Sequence, residues 1–297
     1  MIRKFLDYIT IERHYSPLTA RAYEQDLNEF CSFLHLKPES LKPELVTEGD
    51  IKDWMISLLD AGEKPRTVRR KLSSLRSFWR FMLRIGYVEK DVTRAIIAPK
   101  MDKPLPVFFK ESEMKNACEA MKWADDFVSK RDSLVIDMLY QTGMREAEIA
   151  GLCDADIDLQ RKEVRVFGKR RKERIVPFGD ELAARIADYQ TVRNEEFDLI
   201  PDPKQHLLLT EKGANATVRT IYEIVRARMG EVSTLKKHSP HVLRHTFATE
   251  MLNNGADINT IKTLLGHSSL AATQVYTHTT FEQLKQAYQQ AHPRAKK

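Results

Sequence analysis

The sequence predicts a mainly α-helical protein of two domains, with a small antiparallel β-sheet in the second domain. Three observations support this prediction: apolar residues recur at helical spacing along most of the chain, two short segments alternate polar and apolar residues, and a proline-rich stretch interrupts the pattern at residues 96–107. At about 100–200 residues per domain, a chain of 297 residues is long enough for two. We expect one helical domain over residues 1–95, a linker over 96–107 and a second domain over 108–297.

The overall composition is that of a globular protein in an aqueous compartment. Hydrophobic residues make up 42% and charged residues 30% of the chain, and no run of about 18 apolar residues offers a membrane span. Asp7 makes the amino terminus acidic too early for a secretory signal. Cys31, Cys118 and Cys153 are far apart and lack the spacing of a zinc site, so they fit reduced thiols of the cytosol. These features predict a cytoplasmic protein without membrane insertion.

The first domain is predicted to consist of helices separated by short breaks. A helix over residues 1–13 is followed by one that Ser16 opens as its cap, with Pro17 at the first position. A third helix lies around Ile51–Leu59. The fourth, over Thr67–Ile85, has its apolar residues within a sector about 80° wide, which predicts the side that faces the core. These residues are Val68, Leu72, Leu75, Trp79 and Met82.

Positive charge is concentrated in two tracts. The formal net charge is +6, yet residues 64–84 contain eight basic side chains and no acidic one, and residues 161–174 contain eight basic and two acidic. On the fourth helix the arginines lie opposite the apolar sector, where guanidinium groups suit the phosphates and base edges of a DNA groove. A solvated helix face is the alternative. The candidate DNA-binding residues are Arg66, Arg69, Arg70, Arg76, Arg80, Arg170, Arg171 and Lys172.

The second domain is predicted to be helical around one β-hairpin. Helices over residues 110–121 and 131–140 are followed by a third over Glu146–Leu152. Glu163–Phe167 and Glu173–Pro177 alternate polar and apolar residues on either side of a short basic turn, which indicates a hairpin with a basic tip. Helices then resume to the end of the chain.

Residues suited to phosphate chemistry occur between residues 238 and 278. Ser239-Pro240 marks a helix start with Ser239 as cap, which puts His241 in the first turn, where backbone N–H groups favour an anion. Arg244 follows on the same helix face, so the pair could hold a phosphate. His241 and His245 could instead share a metal ion, but no carboxylate or cysteine stands at a supporting spacing. We predict no metal site.

Five short motifs then occur in a fixed order along the chain. Together they resemble the tyrosine recombinases, specifically the Xer family within them. The matching segments are Thr142-Gly143-Met144-Arg145, Gly168-Lys169 with Lys172-Glu173-Arg174, His241-Val242-Leu243-Arg244-His245, Leu264-Leu265-Gly266-His267 and Gln274-Val275-Tyr276-Thr277-His278. The resemblance covers nearly the whole chain. It implies an N-terminal helical, SAM-like core-binding domain and a C-terminal catalytic domain that form a clamp on DNA.

The resemblance implies cleavage and rejoining of DNA strands through a 3′-phosphotyrosyl intermediate. Tyr276 would be the nucleophile, while Arg145 and Arg244 would balance the developing charge of the scissile phosphate. His241 would accept the proton of the tyrosine. His267 would hydrogen-bond the phosphate and help to orient the site.

The resemblance assigns the proton donor to the leaving 5′ oxygen to Lys169. Many Xer proteins have a glycine and an asparagine where this chain has Arg170 and Arg171. Lys172 therefore remains a rival for the role, and Lys162 is a weaker one. Neither ATP nor a metal enters the scheme, because the phosphotyrosine ester conserves the energy of the broken phosphodiester. No cofactor is expected, and the sequence contains no nucleotide-binding glycine loop.

The same resemblance implies a set of partners. The substrate would be a double-stranded DNA recombination site, synapsed by four protomers in a homotetramer or in a heterotetramer with a second Xer-type recombinase. The last helix, over Thr280–Gln290, would dock into a neighbouring subunit, with packing on its own domain as the alternative. A DNA translocase is a candidate activator. The expected biological role is resolution of chromosome dimers at cell division.

Three other functions share part of this pattern. An integrase or invertase of a mobile element would use the same chemistry, although the two-domain length without an added arm-binding domain favours the housekeeping role. A type IB topoisomerase would use a similar tyrosine and arginines to relax supercoils as a monomer. A non-catalytic DNA-binding regulator would use only the basic helices, which leaves the ordered arginines, histidines and tyrosine without a purpose.

Overall fold

A computed structural model describes residues 1–101, 107–120, 124–168, 173–200, 202–266 and 278–295 of the chain. The candidate residues outside these ranges are Lys169, Arg170, Arg171, Lys172, His267 and Tyr276. The chain divides into two compact units, Met1–Leu105 and Pro106–Lys297. Each unit has a hydrophobic core of its own.

The first unit is built on helices whose ends follow local sequence signals. They are α1 (Ile2–Asp7), α2 (Pro17–Phe33), α3 (Glu48–Asp60) and α4 (Pro65–Arg84). Ser16 caps α2 as predicted, because its hydroxyl accepts a hydrogen bond from the backbone N–H of Thr19 at 3.2 Å. Thr47 and Asp50 form a reciprocal capping box at the start of α3. A π-helical turn over Tyr8–Glu12 continues α1.

The apolar sector predicted on α4 faces the core of the first unit. Its residues pack with Phe30 of α2 and Trp54 of α3, whose ring centroids are 5.0 Å apart. Burying one such large apolar side chain stabilises the fold by about 1.5–3 kcal/mol, so this side of α4 anchors the helix. The residues of the sector, each at most 1% exposed, are Val68, Leu72, Leu75, Trp79 and Met82.

The second unit is arranged around a central helix, α6. Every residue from Arg131 to Thr142 on this helix is buried, and α6 packs against α8, α9 and α10. The helices of the unit are α5 (Glu111–Lys115, continued by a π-helical turn over Asn116–Ala120), α6 (Phe127–Thr142), α7 (Glu146–Ala150), α8 (Asp180–Glu196), α9 (Val218–Val232), α10 (Pro240–Asn253), α11 (Ile258–Leu265) and α12 (His278–Ala291).

A three-stranded antiparallel sheet lies in the second unit, in the order β1-β2-β3. The strands are β1 (Ile157–Asp158), β2 (Glu163–Phe167) and β3 (Glu173–Pro177). Phe167 pairs with Glu173 and Glu163 pairs with Pro177, so the predicted hairpin is confirmed with its bounds. The sequence analysis missed β1, because a strand of two residues is too short to show alternation.

The last helix packs on its own domain in this single chain. Leu284, Tyr288 and Ala291 of α12 are buried in a cluster with residues of α10 and α11. Beyond α12, His292 is also buried, and its ring stacks on Tyr288 with centroids 5.1 Å apart. Within one chain, α12 thus packs against α10 and α11.

Membrane-spanning helices and the cysteines are the remaining features that the sequence raised. Among the residues that the structure describes, no helix is both long and apolar enough to cross a bilayer. Cys31, Cys118 and Cys153 are all free thiols. Burial raises the pKa of Cys31 to about 11, so this thiol stays protonated and unreactive near neutral pH.

Candidate active site

Arg145 follows a tight turn at the carboxyl end of α6. Gly143 ends this helix with a φ of +60°, a left-handed conformation that favours glycine. A Cβ atom at Gly143 would lie 2.5 Å from a ring carbon of Phe247 and 2.8 Å from a methyl carbon of Leu265. The glycine of this motif therefore serves two purposes: it turns the chain toward Arg145, and it lets α6 approach the neighbouring helices closely.

The side chain of Arg145 is partly exposed and partly held by the protein. Its Nη1 bonds to Oε1 of Glu148 at 2.8 Å, and its Nη2 donates to the backbone oxygen of Gly266 at 3.4 Å. The side chain is 38% exposed. Because a guanidinium carries five N–H donors, Arg145 can bind a phosphate while it keeps these two contacts.

Glu148 is a site residue that the sequence analysis missed. Its carboxylate, 5% exposed, bridges Arg145 and Arg174, and Arg174 binds both of its oxygens at 3.0 and 2.8 Å. Burial alone would raise the pKa of Glu148, but the bonds from Arg174 and Arg145 outweigh burial and lower the pKa to about 2. The only sequence signal was a glutamate at the third position of a helix, which is common at any helix start.

Arg244 is buried, in contrast to Arg145. It lies on the first turns of α10 and is 8% exposed. Its Nη1 donates to the backbone oxygen of Gly143, and its Nη2 to that of Leu265, both at 2.5 Å. Burial, and then the positive charge of Arg145, lower the pKa of Arg244 to about 10. The guanidinium therefore remains charged near neutral pH.

The carboxyl end of α11 brings the two arginines together. Gly266 ends α11 in the left-handed conformation, with a φ of +63°. The last carbonyls of a helix lack partners within it and carry a partial negative charge. Arg244 binds the carbonyl of Leu265 and Arg145 that of Gly266, so both cations meet at one helix end. His267 is the next residue in the sequence and lies outside the described residues.

His241 lies in the first turn of α10, as predicted, and is open to solvent. Its side chain is 71% exposed, whereas Arg244 is buried, so the two residues differ in their access to solvent. Nε2 of His241 is 3.6 Å from Oε1 of Glu146. The other oxygen of Glu146 is buried, and the described part of the chain provides it with no hydrogen-bond partner.

The start of α10 differs in one detail from the sequence prediction. Ser239 occupies the cap position, but its hydroxyl makes no capping bond and is buried without a partner among the described residues. The N–H of Val242 bonds instead to the backbone oxygen of Ser239 at 2.9 Å. The prediction of a side-chain cap is therefore wrong, because the backbone carbonyl of the same residue takes that donor.

The candidate DNA-binding arginines of α4 are not equivalent. Arg66, Arg69, Arg70 and Arg80 are exposed, and Arg76 is half-buried. Arg70 forms a two-pronged ion pair with Asp26 of α2, at 2.5 and 2.8 Å, although the tract itself contains no acid. The acid-free tract is thus partly neutralised, because packing brings α2 against α4. Backbone carbonyls also engage this surface, with Arg69 bonded to Pro99 and Arg76 to Ile96.

The weaker rival for the catalytic lysine lies away from the hairpin turn. Lys162 precedes β2, at the end of the strand opposite the turn that joins β2 to β3, and it forms an ion pair with Asp180. Lys169 and Lys172 fall outside the described residues. Within the described ranges, no group of three histidine, cysteine, aspartate or glutamate residues could hold a metal ion.

Comparison with known proteins gives consistent matches along the chain. Residues 108–283 match the phage integrase family, and residues 2–86 match the phage integrase N-terminal SAM-like domain. Tyrosine recombinase XerC of Chlorobaculum tepidum is 36% identical over 315 residues, covering 98% of this chain and 94% of the relative. Tyrosine recombinase XerC of Listeria innocua is 38% identical over 293 residues, covering 99% and 97%.

A solved structure shares the fold at lower identity. The XerH site-specific recombinase, bound to its difH substrate in a pre-cleavage complex, aligns with a TM-score of 0.66 and 21% identity. The alignment covers 97% of this chain and 84% of that one.

Within a helical fold around a small antiparallel sheet, two arginines converge on one helix end, an arrangement suited to binding a phosphodiester. The matches show that the chain belongs to the phage integrase family, the tyrosine recombinases, and to the Xer type within it. It is a site-specific recombinase, an enzyme that cleaves and rejoins DNA strands. The family resemblance drawn from the five motifs is confirmed, and so is the predicted fold class.

Proposed function

We propose that this chain recombines a double-stranded DNA site through a 3′-phosphotyrosyl bond to Tyr276, and that its biological role is to resolve chromosome dimers at cell division. One observation carries the proposal for the site: Arg145 and Arg244 both bond to the carboxyl end of α11, directly before His267 in the sequence. That placement gathers two cations at the helix end that precedes His267 and Tyr276 in the sequence. The full-length similarity to XerC proteins supports the role in the chromosome.

The two arginines have complementary tasks in this scheme. The scissile phosphodiester is an anion, and its charge grows as the tyrosine oxygen attacks, so a fixed positive field lowers the barrier. Arg244 is preorganised, because two backbone carbonyls hold its planar group. Arg145 has the exposed face that can bind a non-bridging phosphate oxygen.

Proton transfer is assigned to the residues around this pair. A tyrosine has an ordinary pKa of about 10, so Tyr276 needs a base or a strong positive potential to attack near pH 7. His241, in the first turn of α10, would take that proton. His267 would hydrogen-bond the phosphate. Lys169, from the hairpin turn, would protonate the leaving 5′ oxygen.

DNA would be bound by both domains of the chain, residues 1–95 and 108–297, joined by the linker 96–107. The basic side of α4 would contact phosphates in the first domain, and the hairpin turn with Arg170, Arg171 and Lys172 would do so in the second. Four protomers, either identical or shared with a second recombinase, would synapse two sites through the last helix. The protein would work in the cytoplasm with the chromosome, and a DNA translocase is a candidate activator.

A nicked duplex that traps the covalent intermediate tests the proposal. The DNA site is first mapped by sequencing the covalent adducts that the wild-type protein forms on the chromosome. A nicked copy of this site should then trap the wild-type protein at a 3′ phosphate. We expect Tyr276→Phe to abolish trapping while duplex affinity stays within about threefold, because the change removes the attacking oxygen and no charge.

Three outcomes would contradict parts of the proposal. Trapping that survives in the Tyr276→Phe variant would refute the choice of nucleophile. A wild-type protein that binds the duplex but never forms adducts would favour a non-catalytic regulator. Adducts that map to the ends of a mobile element would instead assign the same chemistry to an integrase.

A further inference from the structure

Three arginines from three separate elements cap the carboxyl end of α11. The carbonyl of Leu264 accepts from Nε of Arg174 at 2.8 Å. The next carbonyl, Leu265, accepts from Arg244, and the third, Gly266, accepts from Arg145. The proposed function uses only two of these arginines. Arg174 remains without a role.

Arg174 is placed to hold other groups and not a phosphate. It lies on β3 and is 5% exposed. Its Nε is bonded to Leu264, and both of its terminal nitrogens are bonded to Glu148. All three guanidinium nitrogens of Arg174 are therefore already bonded within the protein.

The carboxylate that Arg174 holds is the one that orients Arg145. Oε1 of Glu148 accepts from Nη1 of Arg145 at 2.8 Å and from Nη1 of Arg174 at 3.0 Å. Oε2 accepts from Nη2 of Arg174 at 2.8 Å and from the backbone N–H of Arg145 at 2.9 Å. Without Arg174, Arg145 alone of these two residues would hold Glu148, and the carboxylate could turn further toward the guanidinium of Arg145. Arg145 would then be drawn into a closed two-pronged ion pair, with less of its charge available to a phosphate.

Arg174 also joins this ion pair to the hairpin. It directly follows Glu173, which pairs with Phe167 at the end of β2–β3 nearest the turn. The turn contains Lys169. β3 is thus bonded through Arg174 both to Glu148 and to the end of α11.

We propose that Arg174 is a positioning residue of the recombination reaction: it divides the charge of Glu148 between two arginines, so that Arg145 faces the scissile phosphate. The inference rests on the proposed function, because it needs Arg145 to act on a phosphate. It adds a residue whose described bonds are to Glu148 and to the carbonyl of Leu264.

Replacing the negative phosphate by a neutral one gives a readout that a structural role would not change. Arg174→Lys keeps the charge but loses the fork. We expect this variant to cleave the nicked duplex about tenfold or more slowly than the wild type, with duplex affinity within about threefold, because two bonds to a charged group are lost. With a methylphosphonate at the scissile position, the deficit should shrink to about threefold or less, because a neutral group depends less on Arg145.

Arg193→Lys is the matched control. Arg193 is 1% exposed, grips Asp154 with both terminal nitrogens at 3.0 and 2.7 Å, and bonds backbone carbonyls, yet its hydrogen bonds within the described residues reach none of the site residues. Its substitution should change stability without a difference between the two substrates. Equal deficits on both substrates for Arg174→Lys, or a wild-type rate, would overturn the inference.

Glu148→Gln provides a second test of the same contact if the Arg174→Lys variant fails to bind the duplex. It should show the same substrate-dependent deficit, and the double variant should be no slower than the slower single variant, because both act through one contact. Additive deficits would overturn the coupling. Arg145→Ala distinguishes the proposed function from this inference. If methylphosphonate does not restore cleavage by Arg145→Ala, the proposed role of Arg145 fails. If it restores cleavage by Arg145→Ala but not by Arg174→Lys, the positioning role of Arg174 alone fails.

Discussion

Arg145 and Arg244 carry the same charge in different surroundings. Arg145 is half-exposed and shares a carboxylate, whereas Arg244 is buried and held by two backbone carbonyls. A buried cation is unstable unless dipoles or an anion balance it. The helix end of α11 provides the dipoles, and the scissile phosphate would provide the anion. Binding of a phosphate would therefore add a balancing anion to the buried Arg244.

We expect Arg244→Lys to slow cleavage by about a hundredfold, with a new pH dependence. One ammonium group cannot bind the carbonyls of Gly143 and Leu265 and a phosphate in the same plane. Burial and the charge of Arg145 lower the pKa of Arg244 to about 10, still high enough to keep it charged. The same two causes would lower the pKa of a lysine at this position from its ordinary value of about 10.4. The lysine would therefore lose its proton as the pH rises toward about 9.

Single-turnover cleavage of the nicked duplex between pH 7 and 9 measures this effect. The rate of the Arg244→Lys variant should fall relative to the wild type as the pH increases. Arg219→Lys, on an exposed arginine of α9, is the control and should follow the wild-type profile. A ratio of Arg244→Lys to wild-type rates that is constant across this range would contradict the explanation by charge loss.

Helix ends, more than helix bodies, set up the site. Arg145 follows the end of α6, His241 lies at the start of α10, and both arginines bind the end of α11. Gly143 is the tightest of these points, because its conformation and its neighbours both exclude a side chain. A change there should affect stability and the position of Arg145 together.

Gly143→Ala should lower the free energy of unfolding by about 3 kcal/mol or more. About 1 kcal/mol comes from the left-handed backbone, and the rest comes from the clash of the new Cβ with Phe247 and Leu265. Gly255→Ala is the matched control, since Gly255 also follows a helix end, with a φ of +87°, but has no described atom within 4 Å of the Cβ position. Denaturant unfolding should show that Gly255→Ala lowers the free energy of unfolding by about 1 kcal/mol. Equal losses of unfolding free energy in the two variants would show that the clash with Phe247 does not add to the cost at Gly143.

At the scale of the whole molecule, charge is divided between ion pairs and open surface. The net excess of +6 is small, so binding to DNA depends on which cations remain unneutralised. Asp26, which is 1% exposed, forms an ion pair with Arg70. Glu29 and Glu63 form ion pairs with the buried Lys71. Arg66 and Arg80 are exposed at other positions of α4. Sequence counts of positive charge therefore overstate the surface offered to phosphates.

Arg66→Ala and Arg70→Ala should separate binding from stability. If Arg66 contacts one phosphate, its loss should weaken duplex binding and reduce the slope of log affinity against log salt by about 0.9. Arg70→Ala should change this slope less but lower the free energy of unfolding by about 2 kcal/mol, because buried Asp26 loses its balancing cation and keeps the hydroxyl of Ser74. Salt titrations and denaturant unfolding measure the two effects. A larger loss of slope in Arg70→Ala would show that the Asp26 pair opens on DNA.

Much of the fold and half of the site follow from signals within a few residues. The cap at Ser16, the buried sector of α4 and the bounds of β2 and β3 depend on periodicity and on turn chemistry, which local sequence encodes. Arg145 and Arg244 were identified by short motifs. The sequence by itself therefore determined most of the helices, the hairpin, the family and the two arginines suited to a phosphate.

Only the tertiary structure decided how those charges are balanced. Glu148 meets Arg174 across 26 positions, Arg70 meets Asp26 across 44, and Arg145 reaches Gly266 across 121. Such pairs form because packing of the helices and the sheet brings their backbones together, and periodicity contains no information about which distant charge will stand opposite. The same physics explains why Ser239 held the cap position without making the capping bond: the partner of a polar group is chosen by the geometry of the whole fold.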